Sequence, residues 1–509
     1  MTNSKIGKTI LDLRNINKFF GGVRALSDFS MTIEEGEIHC LVGENGSGKS
    51  TLIKVASGAL KAESGDIYIN GNFYKNLHIM DAIKEGIQVI YQDLSLYTNL
   101  TIAENIAMNQ LIEKNLKLIN SRIIHNISKE AINELKINLD LEMVVENLAM
   151  GDKQLVAICR ALTHDVKLII MDEPTVALTR NEIELLFKVI LSLKEKGIST
   201  LFLSHKLSEV FQISEEVTII RDGLKVGEFK TNELDNDKLI FYMIGKKIEK
   251  EKYSYDEDKN KDNVLLEVTN LTKKNNFKNI NFKLLAGEII GITGLLGSGR
   301  TELALSIFGL NKPDSGHIFI EGEKVKIDSP QDAIKLGISF FPSDRTIEGL
   351  FMKKPVDINL IITVIKENLN KMGLIDFRSI KSRAKEQVED LNIKIPSLSA
   401  QITSLSGGNQ QKVALGKWIS TNPKIFILDS PTVGVDIGAK YNVYSIIKKL
   451  AIEQNMGIIM ISDEIREVME NCNKILLMKK GEIIDIVYPN KTSENEIFSK
   501  ISGTSLSNN

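Results

Sequence analysis

Short, unbroken apolar runs separated by polar turns dominate the chain. IHCLV over Ile38–Val42, KLIIM at 167–171 and STLFL over Ser199–Leu203 show no hydrophobic–polar alternation. Runs of this length predict strands buried on both faces, as in a largely parallel sheet covered by helices. TLIKVASGAL at 51–60 follows a glycine-rich loop and predicts a helix. Further on, Ile124, Ile127, Ala131 and Leu135 lie at i, i+3, i+7 and i+11, one apolar stripe of a helical insert turned to a core. The longest apolar stretches, such as 289–296 and 458–461, fall far short of the ~20 residues a membrane-spanning helix needs. The chain is not expected to cross a bilayer by itself.

The pattern then repeats. GEIHCLVGENGSGKST at 36–51 is answered by GEIIGITGLLGSGRT at 287–301, with the two loop-opening glycines 251 residues apart. LAMGDKQ at 148–154 is answered by LSGGNQQ at 405–411, 257 residues on. From each of these the chain runs 24 residues to an Asp that ends an apolar run, Asp172 or Asp429. Shared order and spacing over both halves predict two homologous α/β domains, at 9–243 and 264–507. Between them, IGKKIEKEKYSYDEDKNKDN at 244–263 is charged, lacks apolar periodicity and reads as a linker.

Composition narrows the classes without choosing one. Hydrophobic residues make up 43% of 509, enough for sizeable cores. Lys plus Arg number 64 against 66 acidic residues, so no broad basic surface offers itself to nucleic acid. Cys40, Cys159 and Cys472 form no CxxC pair, and the start MTNSKIGKTI has no signal-peptide core. Both features fit a reduced, cytosolic chain with buried or incidental thiols.

The chemistry lies in the loops that end the apolar runs. Gly43-Glu44-Asn45-Gly46-Ser47-Gly48-Lys49-Ser50, followed by Thr51, fits G-x-x-x-x-G-K-[ST] without a gap. Its glycines let backbone N–H groups converge on phosphates, Lys49 neutralises β/γ charge, and Ser50 places a hydroxyl on Mg²⁺. In LIIMDEP, Asp172 can hold the Mg²⁺ shell and Glu173 can polarise the attacking water. Gln92 is a candidate for contact with the metal or the water, and His205 for reach to the γ-phosphate. Taken singly, a loop glutamine means little and a histidine at a strand end is more often structural; only the ensemble raises them. His39 and Cys40, inside the strand before the loop, read as structural.

Together with LSGGNQQ, these motifs resemble the ATP-binding-cassette superfamily. GENGSGKSTLIKVASG, DLSLYTNLTIAENI, MDEPTVALT, GLLGSGRTE, SPQDAIKLGI and GVDIGAK narrow the likeness to the fused ATPases of bacterial monosaccharide importers, the ribose/galactose/xylose group. The resemblance covers nearly the whole chain outside the termini and linker. It implies two P-loop cassettes that pair head-to-tail and bind ATP and Mg²⁺ between a P-loop and the opposite signature, here Ser406, Gly407, Gly408 and Gln410. It also implies an integral-membrane permease dimer, an extracytoplasmic binding protein, and a place on the cytoplasmic face of the bacterial membrane. Residues 93–106 would then meet the permease's coupling helix. Phe20 would stack on adenine, with a core aromatic as the alternative.

The second half departs from the hydrolytic pattern. Gly294, Gly297, Gly299 and Thr301 keep the loop and its metal ligand, and Asp429 keeps the second ligand. Arg300 replaces Lys49, Ser343 replaces Gln92, Ser430 replaces Glu173, and Asp463 replaces His205. The first-half signature has Ala149 where the second has Ser406. The expectation is one hydrolytic site and one that mainly binds nucleotide; the alternative is neutral drift with another group acting as base. Three functions remain open: a sugar importer's ATPase, an importer of nucleosides or other small solutes, and a soluble duplicated cassette acting on ribosomes or DNA.

Overall fold

The computed structural model describes residues 8–113, 120–204, 206–246, 255, 262–370 and 373–503. The chain folds into two compact units, Met1–Ile248 and Glu249–Asn509. Most of the segment read as a linker lies outside the described residues.

In the first unit the apolar runs form the heart of a six-stranded sheet. Its order is Leu224–Lys230, Glu216–Arg221, Ile38–Val42, Ser199–Leu203, Leu168–Asp172, Ile87–Ile90. All neighbours are parallel except the outermost pair, Leu224–Lys230 with Glu216–Arg221. Ile38–Val42 and Ser199–Leu203 are buried along their whole length, as two-sided covering requires. The segment 51–60 lies largely in a helix that begins earlier, Lys49–Ala56, with Leu52, Ile53, Val55 and Ala56 turned to the core. Because the central strands are parallel, their carboxyl ends meet at one edge, and the loops that leave Val42, Ile90, Asp172 and Leu203 gather there.

A second sheet is four-stranded and antiparallel, in the order Val23–Glu34, Thr9–Phe20, Ser64–Ile69, Asn72–Tyr74. The hydrophobic pattern did not foretell it. Its long strands slip register between Leu13 and Ile16 and again between Ile16 and Lys18, which breaks the period of two. Asn17 and Asp28 bridge the irregularity, the Asn17 amide donating to Asp28 Oδ1 at 2.9 Å and the Asp28 N–H to Asn17 Oδ1 at 3.0 Å. Leu13, Ile16 and Ile69 of this sheet join Leu41, Leu52, Ile170 and Leu201 in one core.

The helical insert forms as expected, over Ser121–Leu135. Ala131 and Leu135 are buried and Ile124 and Ile127 half-buried, so the stripe is a packing face. The second unit repeats the plan. Its six strands run Ile338–Phe341, Ile425–Asp429, Gly457–Ile461, Ile289–Gly294, Lys474–Lys479, Glu482–Val487, the same spatial order. Its antiparallel sheet is Phe277–Leu285, Val264–Lys273, Ser315–Ile320, Glu323–Val325. Among the described residues, no helix is long and apolar enough to cross a membrane. All three cysteines are buried, and burial pushes their thiols up, which leaves them unreactive.

Candidate functional site: two P-loops on one plan

The first glycine loop is tight enough to demand glycine. A Cβ on Gly43 would lie 2.3 Å from the Ile220 carbonyl oxygen, and one on Gly48, at φ +110°, 2.4 Å from that of Ala25. Gly46, at φ +79°, borders open space. Glu44 is half-buried and Asn45 exposed beside it. The buried Lys49 ammonium donates to the carbonyls of Gly43 at 2.8 Å and Glu44 at 2.9 Å, spanning the mouth of the loop. Ser50 is exposed at the helix start and Thr51 half-buried behind it. The second loop copies this geometry. A Cβ on Gly294 would lie 2.2 Å from the Met478 oxygen and one on Gly299 2.5 Å from that of Asn276, with Gly297 open at φ +75°. Ser47 Oγ and Ser298 Oγ, one in each loop, are buried without a hydrogen-bond partner among the described residues. A polar ligand in the loop would satisfy both.

Asp172 ends its strand beside Leu203, in register with it. Burial, and then the charge of Glu173, push the Asp172 carboxyl up, while Lys49 pulls it down. Lys49, Asp172 and Glu173 therefore share one electrostatic site. Glu173 has a left-handed backbone at φ +48°, held by its N–H donating to the Leu203 carbonyl at 3.2 Å. Such a conformation costs free energy in a non-glycine residue. Gln92 is exposed on the turn after Ile87–Ile90, the strand beside Leu168–Asp172. His205 lies outside the described residues. Phe20 is 50% exposed at the tip of the hairpin, with the Lys18 ammonium 5.4 Å from its ring centre. That removes the core-aromatic alternative.

The second site sets different side chains on a matching glycine loop and strand end. Ser430 keeps the left-handed backbone at φ +50°, and its N–H donates to Ile461 O at 2.9 Å. Its hydroxyl donates to Asp429 Oδ1 at 3.2 Å, and Thr301 Oγ1 donates to Asp429 Oδ2 at 2.9 Å. Burial raises the Asp429 carboxyl, against those two hydrogen bonds and the charge of Arg300. A hydroxyl beside a carboxylate is a hard-oxygen donor pair, which suits Mg²⁺. Arg300 donates to Asp463 and to the Ser462 carbonyl.

The signatures start helices in both units. Ser406 precedes Gly407–Ile419 and accepts from the Asn409 amide at 2.9 Å. Gly408 lies against Ala439. Gln410 turns back on its own chain, donating to Ile402 O at 3.2 Å and Leu405 O at 3.0 Å. In the first unit Ala149 precedes Met150–Leu162, and Gly151 N–H donates to Glu182 Oε1 at 3.1 Å. Glu182 stands where the second unit has Ala439. A carboxylate of the chain thus already caps the positive end of the first signature helix.

Residues unmarked by motif support the loops after Gln92 and Ser343. Asn105 is fully buried and accepts from Tyr97 N at 2.9 Å while donating to Tyr97 O at 2.9 Å and Thr101 O at 3.0 Å. Asn359 does the same for Phe351 and Pro355. Each asparagine fixes an exposed aromatic, Tyr97 or Phe351. Arg160 clamps the carbonyls of Leu94 at 2.8 Å and Ser95 at 2.7 Å, two residues with positive φ. A second cluster, Glu37, His39 and Glu216, lies apart from the loops. His39 is spent between Glu37 and the Thr218 hydroxyl, so its structural reading stands.

A glycine loop at the carboxyl edge of a parallel sheet, a lysine across its mouth and an Asp–Glu pair beside it define a P-loop ATPase, and the loop and sheet recur in the second unit. The model of the family described as ABC transporter matches residues 26–176 and 277–433, more than half the chain. The chain belongs to the ABC transporter family. It is 38% identical over 494 residues to the ribose import ATP-binding protein RbsA of Caldanaerobacter subterraneus, covering 97% of this chain and 99% of that one. It is 40% identical to the protein of the same name from Clostridium tetani, covering 94% of each. To the galactose/methyl galactoside import ATP-binding protein MglA of Clostridium perfringens it is 37% identical, covering 97% of this chain and 95% of that one.

Proposed function

We propose that this chain is the ATP-hydrolysing, energy-coupling subunit of a monosaccharide importer, working on the cytoplasmic face of a membrane with a permease and an extracytoplasmic binding protein. The observation that carries this reading is the end-to-end likeness to relatives named for ribose and galactose import. In the first cassette Lys49 and the loop N–H groups hold the β- and γ-phosphates, and Phe20 stacks on the adenine. Ser50 and Asp172, with Gln92, would hold Mg²⁺, which would supply positive charge to the phosphates. Glu173 takes the proton of the attacking water, and His205 reaches the γ-phosphate. Ser406, Gly407 and Gly408 offer a helix N-terminus to that nucleotide in the head-to-tail pairing the family implies. In the second cassette Gly294, Gly297, Gly299, Arg300, Thr301 and Asp429 hold nucleotide, and Ser430 gives no effective base.

Purification of the tagged chain from gently solubilised membranes of its host tests the assignment. A multi-spanning permease should copurify, and its binding protein should bind a pentose or hexose. Recovery with ribosomes or DNA and without a membrane protein overturns the importer reading.

A further inference from the structure

The cation of the second P-loop is already paired with an anion. Arg300 donates to the Asp463 carboxylate and, at 3.0 Å, to the Ser462 carbonyl, just beyond the strand Gly457–Ile461. The Arg300 side chain is 7% exposed and that of Asp463 70%, so the cation lies inside the loop and the carboxylate at its mouth. In the first loop Lys49 donates instead to the neutral carbonyls of Gly43 and Glu44.

A P-loop cation serves the β- and γ-phosphates. A terminal phosphate arriving at Arg300 must displace the carboxylate or lie beside it, and like charges in a partly desolvated site repel strongly. A diphosphate makes no such demand. The glycine cradle, the orphaned Ser298 hydroxyl, Thr301 and Asp429 remain for it. We propose that the second P-loop is selective for a nucleoside diphosphate over a triphosphate, with the Asp463 carboxylate as the built-in occupant of the terminal-phosphate position. This rests on the reading of the second P-loop as a nucleotide site, and it makes that site one that retains ADP.

Calorimetric titration of the full chain carrying Lys49→Ala, which cripples the first loop, tests the proposal with MgADP and with the non-hydrolysable Mg–AMP-PNP. The second loop should bind ADP about tenfold or more tighter than AMP-PNP. Asp463→Asn and, independently, Asp463→Ser should close that gap to about threefold or less by tightening AMP-PNP, with ADP affinity moving less than about twofold. Equal affinities in the parent, or a ratio unmoved by both substitutions, overturns the selectivity while leaving the nucleotide site standing. Binding of neither nucleotide overturns the nucleotide-site reading and the selectivity with it.

Discussion

The two cassettes place different chemistry on the same backbone. Glu173 and Ser430 occupy equivalent left-handed positions, φ +48° and +50°, each tied by its N–H to the neighbouring strand. The glycine collisions that shape the loops match in kind, and a buried asparagine pins the following loop in each unit. What changes is the set of groups around the phosphates. The first loop has a lysine on neutral carbonyls with an Asp–Glu pair beside it; the second has an arginine neutralised by Asp463, and a serine in place of the glutamate. The glycine scaffold recurs in both halves, while the lysine and the Asp–Glu pair occur in the first alone; the proposed division of labour rests on that difference.

Substituting the loop cations should give the largest contrast. Lys49→Ala is expected to lower steady-state ATP turnover on the order of 10²-fold or more, since a preorganised charge at the phosphates is lost. Arg300→Ala should lower it by no more than about threefold. Equal losses would break the contrast between the halves. The shared scaffold predicts the opposite pattern, equal effects in both halves. Asn105→Ala and Asn359→Ala each leave several buried backbone groups unpaired, and each should cost its unit roughly 2–3 kcal/mol in urea denaturation.

A smaller effect distinguishes the signature helices. Glu182 accepts from Thr179 N–H and Oγ1, both at 2.7 Å, and from Gly151 N–H. Those bonds, the Thr179 hydroxyl first, hold its carboxyl below the usual range. A lowered acid pKa stabilises the fold above the unfolded-state value and loses that contribution as pH falls through the folded one. Glu182→Ala should therefore cost about 1 kcal/mol near neutral pH, and the difference from the parent should vanish in acid. A pH-dependent difference lies at the position after each signature where the first unit has Arg160 and the second Lys417. Burial pushes Lys417 down to about 8. The unfolded chain then binds more protons than the folded one above that value, so stability of the second unit should rise between roughly pH 8 and 10. Lys417→Met should flatten that rise.

Much of this contrast was legible in the sequence because it sits in contiguous motifs. The parallel strands announced themselves as unbroken apolar runs, and the exchanges at 49/300, 173/430 and 205/463 followed from alignment of the halves. The antiparallel sheets did not, because bulges near Asn15 and Asp28 scramble their alternation. Asn105 and Asn359 carry no motif, and only burial among backbone groups marks them. Thr179 and Glu182 read locally as a capping box, but the reach of Glu182 to Gly151, 31 residues away, belongs to the tertiary fold. The Arg300–Asp463 pair likewise spans 163 residues.

The division into one hydrolytic cassette and one that holds nucleotide meets its sharpest test in ATP turnover of Glu173→Gln and Ser430→Ala in the assembled transporter. The expected result is a loss of ~10²–10⁴ for Glu173→Gln and a rate within about twofold of the parent for Ser430→Ala. Substantial residual turnover in Glu173→Gln, or a comparable collapse in Ser430→Ala, would contradict that division.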